Sequence, residues 1–389
     1  MITNGWDMAL RTILLAAAIG LAPIAAFADL AISANDGKQV RAGDGLPMKP
    51  TPDSVSVIAF SSHSNPLVIG DIEVCATMIG PPVAVAVAPD YSFVLSTCPQ
   101  QIDAANKLSP QDTVSVIGLD DPTHPKLLQT VHAGMGATGV FLNKRATIAL
   151  VTGVNDDTIT LFTIKDRQLT QKSQVKLEPK AEPRDVMITP DGRTAWALRF
   201  GDGKVTKLRI EGDQMSRIAD YAVGVQPDGG ILTPDGLYLI NNNFGGVPGH
   251  TDKGATSVLD TRTGKIVDVQ EVGALPEHVV LSADGKYLAV VVGNGSAGVK
   301  TAPNFNSVFG KLVIFKKTGG KLEHVTDAQL GHACQGAVWS DDGKALLVQC
   351  SVERDIEYFH FDGTSLTKDD AATLHFQSRP GAIVTAKTR

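Results

Sequence analysis

The sequence predicts an all-β fold: a seven-bladed β-propeller of four-stranded antiparallel blades, one domain over residues 29–389. Three observations predict it. An apolar strand runs into an acidic turn and out into a second apolar strand at residues 84–90, 186–191, 230–235, 279–284 and 336–342, and a copy that has lost the acid stands at 139–144. The spacing, roughly 44 to 58 residues, lies in the range of propeller repeats, and a sheet of that size must stack on neighbours to bury both faces. The second observation is the order of the segments after each copy. Beyond Asp191 come apolar or alternating runs at 195–198, 204–210 and 217–223, broken by Gly and Asp, before the motif returns. The third is that the ends complement one another. Residues 379–385 read as an inner strand with nothing after it, whereas 30–33, 55–60 and 67–74 read as strands lacking an inner partner. One C-terminal strand pairing with three N-terminal strands closes the ring and removes exposed sheet edges.

Residues 1–28 read as a secretory signal peptide. Arg11 supplies a positive flank, residues 12–26 are apolar or small, and Ala26-Phe27-Ala28 is a small-x-small cleavage site. Asp7 in the leading region suits a start at Met8. Pro23 interrupts a run already short for a membrane span, so stable insertion is not expected. A buried first helix is the competing structural reading. The predicted location is periplasmic or secreted, with no Cys after the cleavage site to take a lipid.

A net charge of -6 without any block of Lys or Arg gives no footprint for nucleic acid or an anionic membrane. Aromatic residues, 5% of the chain, are too few for extended stacking platforms. Cys-x-x-Cys-His is missing, which excludes covalent c-type haem. Cys334 and Cys350 flank Asp342 symmetrically, so a turn over residues 341–343 sets them directly opposite on adjacent strands, within disulfide reach. Cys75 and Cys98 flank the first inner strand and form a candidate second bridge.

In a propeller the first-to-second-strand turns share one face, here the turn face. The starts of inner strands and the second-to-third connections share the other, the loop face. The connections at 33–53, 99–111, 244–254 and 294–310 are long, which marks the loop face as the elaborated one. Counting back from each turn acid places Arg184, Asp228, Glu277 and Gln335 around the channel mouth, with His278, His332 and Arg379 one or two residues from the entry positions Glu277, Cys334 and Gly381. Second-strand ends add Arg199, Asn242, Asn294 and Glu353. Such a ring could orient a small anion or polarise a carbonyl, although water alone also makes channel mouths polar. Glu277, Asp228 and the asparagines would suit Ca2+ chemically, but no ligand-spacing motif accompanies them.

The segments 112–119, 148–155 and 157–162, with the Pro-Asp-Gly turns, resemble the YVTN-type seven-bladed propellers of bacteria over nearly all of residues 29–389. That resemblance implies a group containing lactonases, propeller domains of cytochrome nitrite reductases and periplasmic binders, among which fold does not choose. The leading expectation is an exported, monomeric propeller that binds a small molecule or partner protein at the channel mouth. The alternative is a lactonase- or isomerase-type enzyme. There Arg184 and Arg379 would hold a carboxylate or oxyanion, Glu277 or His332 would move a proton, and Asn242 or Asn294 would orient substrate. A third reading is an envelope scaffold without catalysis.

Overall fold

Seven antiparallel sheets, six built from consecutive strands and one from the last strand with the first three, form the blades of the computed structural model, which describes residues 29–37, 51–76, 80–102 and 107–387. The predicted signal peptide and most of the 33–53 connection lie outside the described residues. The inner strands of blades one to seven are Val85–Val87, Ala137–Leu142, Pro183–Ile188, Pro227–Leu232, Pro276–Leu281, Cys334–Trp339 and Arg379–Thr385. As predicted, Arg379–Thr385 pairs with Asp29–Asp36, followed by Ser54–Ser61 and Ser64–Glu73, and so closes the ring. Tyr91 in the first blade clasps this closing blade: its hydroxyl donates to the Leu30 carbonyl at 3.0 Å and accepts from the Ala386 N–H at 3.2 Å. No helix among the described residues is long and apolar enough to cross a membrane.

The acidic turns work through one carboxylate oxygen. Asp191 Oδ1 accepts from Thr189 Oγ1 at 2.6 Å and from the Arg193 N–H at 3.0 Å, while Gly192 takes the left-handed conformation at φ 72°. In the copy without an acid, Asn143 Oδ1 does the same work, accepting from the Thr147 and Ile148 N–H groups. Burial sits between blades. Trp196 fills the space between the third and fourth with Met187, Leu198, Val205, Val223, Leu239 and Leu259. Trp339 is equally buried between the fifth and sixth, and its indole N–H donates to the Val280 carbonyl at 3.2 Å.

Inner strands begin alike. Residues 136, 182, 226, 275 and 333 adopt positive φ, and a register shift follows in each strand, as between Pro227 and Gly230. These bulges re-aim the side chains of Arg184, Asp228, Glu277 and Gln335. The neighbouring positions bolt one blade to the next. Thr97 Oγ1 donates to the Thr138 carbonyl, Thr152 Oγ1 to the Arg184 carbonyl, the Gly230 N–H to Asp185 Oδ2, the Ala337 N–H to His278 Nδ1, and Gln349 Nε2 to the Ala382 carbonyl.

Two disulfides are present, Cys334–Cys350 and Cys75–Cys98, with Cα separations of 3.9 and 5.5 Å. Cys334 does face Cys350, though not for the reason the spacing suggests. The Ser340 N–H donates to the Ala345 carbonyl, so the loop spans 341–344 and is one residue longer than expected. The bulge between Cys334 and Ala337 restores the register. A second expectation is corrected at 99–111. The strands Phe93–Ile102 and Leu108–Gly118 extend into this segment as a long hairpin in place of a separate insert loop.

Candidate functional site at the channel mouth

Among the predicted site residues, the mouth brings Arg184 and Asp228 together. Arg184 Nη1 donates to Asp228 Oδ1 at 2.9 Å, with side chains 19% and 0% exposed. The guanidinium carbon lies 3.3 Å from the centroid of the Phe200 ring, which meets Phe244 edge-on at 5.7 Å. This packing adds a cation–π contact to the ion pair. Burial raises the Asp228 pKa to about 6, against the lowering effect of Arg184 and helped by the nearby Asp185 carboxylate. Within the pair, Asp228 Oδ2 and Arg184 Nε are buried atoms with no hydrogen-bond partner among the described residues.

A roof lies over this pair that sequence reasoning missed. Gly80, Pro81 and Pro82 precede the first blade but reach its opposite side. A Cβ built on Gly229 in the fourth blade would stand 3.2 Å from the Pro81 Cβ, and one on Gly336 in the sixth 3.1 Å from that of Pro82. A Cβ on Gly80 would stand 3.3 Å from Arg184 Cδ. The available signal was the doubled proline, since other blades start with at most one, together with glycine at both facing positions.

The remaining predicted residues belong to several blades. Glu277 is half-buried in the fifth blade, and Gln335 is buried in the sixth. Arg379 is buried opposite Asp36 in the closing blade. His278 accepts the inter-blade bond already described. His332 has both ring nitrogens engaged, Nδ1 with Glu353 Oε1 at 2.5 Å and Nε2 with the Phe305 carbonyl at 2.6 Å, and its ring stacks on Phe305 at 3.9 Å. Asn294 Nδ2 donates to the Phe309 carbonyl at 3.0 Å. Both residues therefore hold the 294–310 segment in place. Asn242 points between the fourth and fifth blades, where Oδ1 accepts from Thr256 Oγ1 at 2.8 Å and Nδ2 is buried without a partner among the described residues. Arg199, fully buried, is spent on Glu178, Asp202 and Asp220. Among the described residues no group of three or more His, Cys, Asp or Glu side chains is placed to hold a metal ion.

Solved structures share this architecture. One from Bacteroides fragilis, named a putative 6-phosphogluconolactonase, superposes with a TM-score of 0.66 at 20% identity, covering 92% of this chain and 98% of that one. One of the same name from Bacteroides uniformis gives 0.66 at 16% identity over 92% and 99%. Hydrazine synthase from Kuenenia stuttgartiensis gives 0.57 at 17% identity over 74% of this chain and 78% of that one. At these identities the likeness shows the fold. No protein-family model matches the chain, and no curated protein matches it in sequence.

Proposed function

We propose that this protein is an exported lactone hydrolase working at the Arg184–Asp228 pair. One observation carries the reading: a fully buried carboxylate, raised to about 6, is paired with a partly exposed arginine, and among the described residues each has one buried polar atom still without a partner. Buried polar groups are rarely left so, and a water or substrate oxygen is the natural third member. The names of the two Bacteroides structures support the reaction class, and the two disulfides suit an oxidising compartment.

In the proposed reaction Asp228 takes a proton from water as that water's oxygen bonds to the lactone carbonyl carbon. Arg184 stabilises the oxyanion of the tetrahedral intermediate, the ring C–O bond breaks, and the leaving alkoxide takes the proton from Asp228. The product is a hydroxy acid. Asp228 suits the proton transfer better than His332, whose nitrogens are both engaged in structure.

Binding without turnover is the second reading, favoured by the roof of Pro81 over Gly229 and the complete burial of Asp228. An acid-release assay over glucono- and phosphogluconolactones, run beside titration with the corresponding hydroxy acids, separates the two. Turnover lost in a folded Asp228→Asn variant supports the hydrolase. Saturable hydroxy-acid binding without turnover supports the binder, and neither activity nor binding would sink both.

A further inference from the structure

The outer edge of the ring between the fourth and fifth blades carries a separate feature. Two open clefts, of about 320 and 430 Å³, meet there and share Lys311 and Asp327. The first is walled by residues 270–273 of the fourth blade and by Val313, Phe315 and His324 of the fifth. The second is walled by Asn294, Ser307, Phe309 and Gln329. Volumes of this order hold small ligands.

We propose that this cleft is a second ligand site and that it takes a sugar acid. Lys311 is the anchor. Its ammonium lies beside Gly273, which has no side chain to cover it, and among the described residues it has no ion pair or hydrogen bond. A carboxylate on a ligand answers that charge. Asp327, half exposed and 3.7 Å from His324, is an acceptor that suits hydroxyl groups and disfavours a second negative charge beside the lysine. The Gln329 amide adds both a donor and an acceptor. The half-buried Phe309 ring gives the apolar surface on which the C–H face of a pyranose packs, and Val313 and Phe315 lie buried beneath the cleft floor. One anionic group, several hydroxyls and an apolar face describe a uronic or aldonic acid better than a fatty acid, which lacks the hydroxyls, or a phosphate dianion, which Asp327 would repel.

The wall is built. Asn294 and His332 hold the Phe305–Phe309 segment through its carbonyls, and the Phe309 ring lies 4.9 Å from that of His332. The cleft shares no residue with the Arg184–Asp228 pair and does not depend on the hydrolase reading.

The test is calorimetric titration of the purified protein with D-glucuronate and with D-glucose at low salt. Saturable binding of glucuronate, weakened at least ~10-fold in Lys311→Gln and unchanged in Asp228→Asn, is expected, with glucose much weaker. No saturable binding of glucuronate, equal binding of glucose, or full affinity in Lys311→Gln would overturn the proposal. Loss in Asp228→Asn with Lys311→Gln unaffected would move the binding to the channel mouth and overturn it equally.

Discussion

The channel mouth and the outer cleft invert one another. At the mouth the charges are buried, paired and roofed by prolines. In the cleft the lysine is half-buried and has no ion pair among the described residues, and the neighbouring His324 and Asp327 are half exposed. Polar groups removed from water must be satisfied by the protein or by a ligand, whereas open ones are satisfied by water at little cost. The mouth therefore ties function to stability, and the cleft separates them.

The largest test of that contrast is Arg184→Ala. It leaves Asp228 buried without its partner and should cost about 3–5 kcal/mol in denaturant unfolding. Adding Asp228→Asn should recover most of the loss; if it does not, the pair is not what holds this part of the ring.

Next is the pH dependence. Asp228 keeps its proton up to about pH 6 in the folded state but loses it near the ordinary aspartate value of 3.8 when unfolded. Between those values the folded state binds more protons, so stability falls as pH rises from about 4 to 6, by up to about 3 kcal/mol. Asp228→Asn should remove that decline. Asp29 is also raised to about 6 and Glu357 is raised by burial, so the difference between wild type and variant carries the assignment. An unchanged slope would mean that Asp228 is ionised throughout.

A smaller effect is expected from Gly229→Val, whose Cβ would crowd Pro81 and the Glu277 carbonyl. Displacing the roof should cost about 1–3 kcal/mol and raise hydrogen exchange at the flanking Gly80 and Val83 amides, the prolines between them having none. Smallest of all, Lys311→Gln should leave stability within about 0.5 kcal/mol of wild type, since this half-buried side chain makes no ion pair among the described residues. A larger loss would show that Lys311 is structural.

Blade count, ring closure and the Cys334–Cys350 pair are legible because each rests on periodicity or on register, which the chain states locally; Cys75 and Cys98 share no hairpin register, so the sequence offers their bridge only as a candidate. The Cys334–Cys350 pairing shows the limit of that legibility: an added turn residue and a bulge cancel, and neither is visible alone in the sequence. At the mouth, counting back from the turn acids finds Arg184 and Asp228. It cannot find Phe200 beneath the arginine or Pro81 opposite Gly229, because those contacts join distant blades. The long 294–310 connection reads in the sequence as decoration of the mouth, yet Ser307 and Phe309 line the outer cleft. Loop length reports which face a segment leaves from, and says little about where its side chains come to rest.

The clasp formed by Tyr91 also sets an order of events. Leu30 and Ala386, held by one hydroxyl, stand at opposite ends of the chain. The earliest strands to be made must wait for the last before their inner edge is covered, and contacts of such sequence separation form slowly. Until then the ring is an open arc with a bare edge at Asp29–Asp36. A chaperone or a second chain could recognise that edge, and it disappears when Arg379–Thr385 arrives.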